Sequence, residues 1–287
     1  MRDREELLKL LILEDVGNNC FKGTSTDIGS LNVFGGQVLA QSLNAACRTL
    51  SKQRVLHSLH SYFLELGDLK LPITYSVEKI RDGGSFSTRC VTAFQNKKRM
   101  FILSCSFHKR EKGYEHQMPM KVNVKQPEEL LSWSCIAEQY GVFIPRKMKH
   151  FLGIERPIEF KPVQLINPLI KEDLPPVMDV WFKLKGSREN IELSLKQQIL
   201  AYISDYNILT ACLYPNASKA HFGNTQMASL DHAMWFYRDF DFSDWMLFSI
   251  DSPNSFGARG FSRGNMYTRN GKLIASIVQE GLMRPIK

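Results

Sequence analysis

The second half of this chain echoes the first. QVLAQSLNAAC, from Gln37 to Cys47, aligns with QILAYISDYNI, from Gln198 to Ile208, so that Val38-Leu39-Ala40 falls on Ile199-Leu200-Ala201. Farther on, RCVTAFQNKKRMFILS (Arg89 to Ser104) aligns with RGNMYTRNGKLIASIV (Arg263 to Val278), placing Arg89 on Arg263, Asn96 on Asn270 and Lys98 on Lys272. Both halves run in the same order, a buried-looking helix and then strands. Such internal similarity points to a duplicated domain, and it constrains the fold before local propensity does. The 287 residues suit about two domains of roughly 150 residues, each long enough to bury a core.

The N-terminal MRDREELLKLLILEDVG reads as an amphipathic helix, with acidic residues on both sides of a short apolar run, and not as a secretory signal. Gly35-Gly36 then precede QVLAQSLNAACRTL, which is apolar on more than one face, as expected of a helix wrapped by a sheet. The runs HSLHSYFLEL, ITYSVEKIRD, SFSTRCVTAFQN and RMFILSCSFHK are rich in aromatic and β-branched residues and read as strands. Asn96-Lys97-Lys98 marks a hairpin turn whose counterpart is Asn270-Gly271. Residues 111–156 break the pattern and hold a helical piece, PEELLSWSCIAEQYG, opened by Pro127 and closed by Gly141. The second half supplies the strands IEFKPVQLI and VMDVWFKLKG and the helix QQILAYISDYNILTACL. The strands MASLDHAMWFY, DWMLFSID, RGFSRGNMYTR and KLIASIVQEGLMR follow. This is an α+β chain with an N-terminal domain over 1–110, a helical linker over 111–156 and a C-terminal domain over 157–287. One long helix wrapped by an antiparallel sheet is the hot-dog architecture, and two tandem copies make a double hot dog.

Charge and cysteine narrow the function classes. The formal net charge is +8, but the basic residues are scattered, with small knots at Lys97-Lys98-Arg99, Lys109-Arg110 and Arg146 to His150. There is no long basic block to act as a nucleic-acid arm, whereas a modest positive field attracts a small polyanion. Cys20, Cys47, Cys90, Cys105, Cys135 and Cys212 form no CxxC pair and no zinc-like spacing with histidine. They read as free thiols in a reducing compartment, and no metal or cofactor is expected. No stretch approaches a membrane span of about 20 apolar residues. The end, Arg284-Pro285-Ile286-Lys287, does not match a peroxisomal SKL-type address. A cytoplasmic protein is the expectation.

Three polar residues stand out against this apolar pattern. Ser204-Asp205 sits within the second buried helix, where a carboxylate must be paired, protonated or functional. An N-cap, a satisfied core carboxylate and a functional group are all open readings. The aligned residue in the first half is Asn44, which is no base at neutral pH. In KLIASIVQEGLMR, strand alternation sets Gln279 on a face with Leu273, Ala275 and Ile277, unless a bulge turns it outward. Its first-half counterpart is Cys105. Ser229 opens Ser229-Leu230-Asp231-His232, but no GxSxG elbow accompanies it, so it reads as a hydroxyl that orients a water and not as a nucleophile. In that reading Asp231 and His232 are strand-edge or interface residues. A carboxylate, a hydroxyl and an amide together can hold and activate a water for general-base hydrolysis. Amides at a helix start, with Gly35-Gly36 the candidates, can polarise a carbonyl.

LNVFGGQVLAQSL, LHSLHSYFLELGD, RDGGSFSTR, SDYNIL, SLDHAMWFY, ARGFSRG and VQEGLMR, in this order, resemble the type II acyl-CoA thioesterases over nearly the whole chain. The resemblance implies a double hot-dog fold and hydrolysis of acyl-CoA to fatty acid and CoA, without cofactor. It implies a triad at Asp205, Ser229 and Gln279, and self-association into dimers or tetramers. As weaker candidates for substrate contact it leaves His57, in LHSLHSYFL, and Arg259 and Arg263, as phosphate ligands. Phe63, Trp235 and Phe236 are core or acyl-pocket wall. The competing readings are a hot-dog dehydratase using His57 or His60, and a non-catalytic acyl-CoA sensor.

Overall fold

A computed structural model describes residues 3–51, 53–144, 146–164, 172–186 and 191–286. In chain order the elements of the first half are α1 (Arg4–Leu11), β1 (Glu14–Gly17), β2 (Cys20–Gly23), α2 (Gly35–Cys47), β3 (Val55–Phe63), β4 (Ile73–Asp82), β5 (Phe86–Gln95) and β6 (Lys98–His108). A connecting stretch carries α3 (Trp133–Tyr140) and α4 (Arg146–Gly153). The second half has β7 (Ile158–Pro162), β8 (Val177–Leu184), α5 (Leu193–Ser204), β9 (Thr225–Ser229), β10 (Asp231–Phe236), β11 (Met246–Phe256), β12 (Arg259–Thr268) and β13 (Leu273–Pro285).

All strands join one antiparallel sheet in the order β1-β2-β4-β5-β6-β3-β10-β13-β12-β11-β8-β7, with β9 paired to β13. The β3–β10 pairing is the seam between the halves, and the order outward from it is the same on both sides. This is the expected double hot dog. α2 and α5 pack against each other at the centre, antiparallel: Gly36 of α2 meets the end of α5 at Asp205, while Asn44 donates to Gln198 at 3.0 Å.

Several expected boundaries shift. The β1–β2 hairpin, not anticipated, turns on Asn18 and Asn19, both at positive φ, a conformation asparagine tolerates better than most residues. The linker helix begins at its cap Ser132, whose hydroxyl accepts the Cys135 N–H, and Pro127 opens a separate short 3-10 turn. The long second helix stops at Ser204 because Asn207 takes φ 66°. The expected strand MASLDHAMWFY divides at Leu230 into β9 and β10. Leu165 and Ile166, placed in the strand IEFKPVQLI, and Lys287 of the C-terminal tripeptide lie outside the described residues. The stretch before α3 lies on the outer face of the second half. Met120, Val124 and Leu130 pack there on Trp181 and Trp245, and the Trp181 indole donates to the Lys125 carbonyl at 2.8 Å.

α2 is less uniformly apolar inside than its sequence suggests. Gln37, Gln41 and Ser42 are buried with Val38, Leu39 and Leu43. Gln41 ties three elements together: its amide donates to the carbonyls of Leu10 (2.7 Å) and Thr24 (3.1 Å), and its oxygen accepts the buried Tyr75 hydroxyl (2.5 Å). Gln41→Leu strands the Leu10 carbonyl and the Tyr75 hydroxyl, while the Thr24 carbonyl keeps the Gln37 amide. At about 1–3 kcal/mol for each unsatisfied buried group, urea unfolding should show a loss of about 3 kcal/mol.

Candidate active site

Asp205 is the C-cap of α5, with φ −82° and ψ −8°. It is thus neither an N-cap nor a mid-helix residue. Its side chain turns to the start of α2, where Oδ2 accepts the Gly36 N–H at 2.9 Å. Oδ1 accepts from Ser229 Oγ at 3.2 Å and from Gln279 Nε2 at 3.2 Å, and Gln279 Nε2 also donates to Ser229 Oγ at 2.8 Å. The three polar residues singled out by pattern therefore form one hydrogen-bonded cluster, joined by a glycine amide.

Each partner is delivered by a local feature. The break at Leu230 ends β9 at Ser229: the Leu230 N–H goes to the Glu280 carbonyl and the Leu230 carbonyl accepts the Phe63 N–H, each at 2.9 Å. Asp231 accepts the Glu280 N–H at 2.7 Å, which fixes the corner. Gln279 is fully buried on β13 opposite Ser262, and the β12–β13 irregularity lies elsewhere, at Met266/Tyr267, so no bulge turns it outward. Gly35 and Gly36 are required by space. A Cβ on Gly35 would sit 2.7 Å from Asp205 Oδ2, and one on Gly36 would sit 2.4 Å from the Tyr202 carbonyl.

The electrostatics oppose one another. Burial pushes the Asp205 carboxyl up to about 6, against the lowering pull of the Gln279, Gly36 and Ser229 donors. The start of α2 carries partial positive charge that favours the ionised form. Asp205 and Ser229 are only partly buried as residues, so the cluster lies at the margin of the core.

Other expected residues do not join the cluster. His57 sits at the far end of β3 from Phe63, bonded to Ser106 Oγ at 2.8 Å beside Phe86 and His108. His60 faces outward against Trp235, and Phe236 is buried core. Arg259 and Arg263 lie on the opposite face of β12 from buried Ser262, paired with Glu280 (2.9 Å) and Asp251 (2.5 Å). Phe63 does come close, since its ring bounds the space at Gly35. His232, expected at an edge, is instead completely buried, with Nδ1 2.5 Å from Gln279 Oε1 and Nε2 3.0 Å from Ser204 Oγ. A usable signal existed, because within β10 His232 alternates in phase with buried Met234 and Phe236. Among the described residues no His, Cys, Asp and Glu group is arranged to hold a metal ion.

A central helix pair inside one continuous sheet, with a carboxylate–hydroxyl–amide cluster at the helix junction, defines the chain as a double hot-dog protein. It belongs to the acyl-CoA thioesterase family: residues 148–282 match the family described as Acyl-CoA thioesterase, and 23–108 match the Acyl-CoA thioesterase N-terminal domain. It is 38% identical to acyl-CoA thioesterase 2 of Haemophilus influenzae over 97% of this chain and 96% of that one. It is 36% identical to human acyl-coenzyme A thioesterase 8, covering 96% and 88%. The crystal structure of the acyl-CoA thioesterase II TesB2 from Mycobacterium marinum superposes with a TM-score of 0.79 at 32% identity, covering 96% and 97%.

Asp205 and His232 titrate with opposite effects on stability. The raised Asp205 pKa makes the folded state hold the extra proton, so this group's contribution falls as pH rises from about 4 to 6. Burial lowers His232 to about 4, so its contribution rises from about 4 to 6.5. The two offset each other. In Asp205→Asn the loss from His232 is no longer offset, so urea midpoints of this variant should drop more steeply than wild type between about pH 6.5 and 4.5.

Proposed function

We propose that this protein hydrolyses acyl-CoA thioesters to a free fatty acid and CoA by direct attack of water. The observation that carries this reading is the Asp205–Ser229–Gln279 cluster, closed by hydrogen bonds at the junction of the two central helices. Asp205 is the general base, and the Ser229 hydroxyl and Gln279 amide orient the water. The water oxygen bonds to the thioester carbon as its proton passes to Asp205, giving a tetrahedral oxyanion. Collapse breaks the C–S bond, and the proton on Asp205 passes to the departing sulfur.

The Gly36 N–H is already held by Asp205, so the donor for the oxyanion is the Gly35 N–H, which has no acceptor within its own helix. The acyl chain lies near the aromatic residues around the cluster, where Phe34 packs on Tyr202 and Tyr206 at 5.2 and 4.5 Å. Dehydratase chemistry through His57 or His60 is not favoured, since both rings are engaged away from Asp205. Self-association into dimers or tetramers is part of the same proposal. The described residues include no helix long and apolar enough to cross a membrane.

Thiol release from acyl-CoA esters of increasing chain length tests the reaction and reads its chain-length preference. Asp205→Asn should lower kcat by at least about a hundredfold, the scale of general-base catalysis, while melting as a folded protein. As the base works deprotonated, wild-type kcat/KM should fall below a midpoint near about 6. Wild-type turnover in Asp205→Asn, or a rate flat between about pH 5 and 8, would sink this mechanism.

A further inference from the structure

We propose that His232 is a positioning residue for Gln279: its Nδ1–H holds the carboxamide oxygen, and this keeps the amide NH2 facing Asp205 and Ser229. The inference rests on the hydrolytic reading above and deepens it.

Gln279 has one acceptor end and one donor end, and the two ends meet different partners. Oε1 lies 2.5 Å from His232 Nδ1, while Nε2 lies 3.2 Å from Asp205 Oδ1 and 2.8 Å from Ser229 Oγ. Turning the amide over would set its oxygen against an ionised carboxylate oxygen with no proton between them. The productive orientation therefore needs a donor at Nδ1. A fully buried imidazole has its pKa pushed down to about 4, so at neutral pH it carries a single ring proton. That proton must be on Nδ1, and Nε2 must then accept.

Ser204 meets this need. Its Oγ donates to the Ala201 carbonyl at 2.8 Å and lies 3.0 Å from Nε2, and with the ring proton on Nδ1 the single hydroxyl proton turns from the carbonyl to the ring. A one-way relay results: Ser204 Oγ–H to His232 Nε2, His232 Nδ1–H to Gln279 Oε1, and Gln279 NH2 to Asp205 and Ser229. The backbone holds the ring in place, since Ser61 Oγ donates to the His232 carbonyl at 2.9 Å.

The first half shows that the fold does not require this histidine. Cys105, aligned with Gln279, pairs across β6–β3 with Leu59. Gln279 lies across β13–β10 from His232, next to the Ala233–Val278 pair. Leu59 is therefore the counterpart of His232, and it too is fully buried. The half without the triad carries a hydrocarbon where the half with it carries a directional donor.

The test is a cycle of His232→Leu, His232→Asn and His232→Gln in wild-type and Gln279→Ala backgrounds, with kcat and KM for one acyl-CoA ester and a melting curve for each. His232→Leu should lower kcat about tenfold, the scale of one misplaced hydrogen bond in the transition state, with KM unchanged. Asn, whose amide nitrogen falls near the place of Nδ1, should recover most of this, and Gln, whose nitrogen falls near Nε2, should not. In Gln279→Ala, His232→Leu should cost nothing further. Equal losses in both backgrounds, or full activity in His232→Leu, would overturn the proposal. If His232→Leu does not fold, equal activity of the Asn and Gln variants overturns it and activity in Asn alone supports it. Wild-type kinetics in Gln279→Ala itself would instead remove the hydrolytic reading beneath it.

Discussion

The contact on which the site depends is that between the start of one central helix and the end of the other. α2 and α5 run antiparallel, so the Gly36 N–H, at the positive end of α2, meets a carboxylate carried at the negative end of α5. A carboxylate at its own helix C-terminus is poorly placed electrostatically. The facing N-terminus offsets that cost, but only at backbone contact distance. The two glycines make this approach possible, because a Cβ at either position would strike the Asp205 carboxylate, the Phe63 ring or the Tyr202 carbonyl. The site is therefore a property of the helix pair, with β9, β10 and β13 adding the remaining groups around it.

Much of this was legible because buried polar residues are conspicuous in apolar runs. Asp205 and Gln279 each broke a pattern that the other half kept with Asn44 and Cys105. The repeat itself was readable to within one residue. Its alignment of Arg89 with Arg263 is a slip, for Arg89 is buried and bonded to Thr49 and Asp82 while Arg263 is exposed. By burial phase the counterpart of Arg89 is Ser262. An aligned charge pulled the strands out of register, and only pairing to a neighbouring strand corrects such an error.

What was not legible depended on interruptions. A single strand from Met227 to Tyr237 sets His232 in phase with buried Met234 and Phe236, but gives no sign of the corner at Leu230. The chain breaks at Leu230 because Asp231 caps the Glu280 N–H from across the sheet, a long-range bond that leaves no local signature. Likewise, α5 ends where Asn207 adopts a left-handed conformation, and that turns a presumed mid-helix Asp205 into a cap. His57, Arg259 and Arg263 lie apart from the cluster for a related reason: motif membership says that a residue is near the site in sequence, whereas strand position and alternation decide on which face it falls.

The two halves differ in what they bury at equivalent points. Where one holds Leu59, Cys105 and Asn44, the other holds His232, Gln279 and Asp205. The first set makes few demands on its neighbours. The second is workable only if every donor finds an acceptor, since a half-satisfied buried network is worse than an apolar core. That explains why the polar set reaches past Asp205, Ser229 and Gln279 to His232 and Ser204. A carboxylate with a raised pKa needs oriented donors to remain a base, and an amide with two unlike ends needs a partner for its oxygen. In the proposed mechanism a neutral ring serves here, because a charged one would draw on the same negative charge that accepts the proton from water. The duplicated half keeps the sheet and the helix contact without these requirements, and so supplies the rigid wall against which the demanding half is assembled.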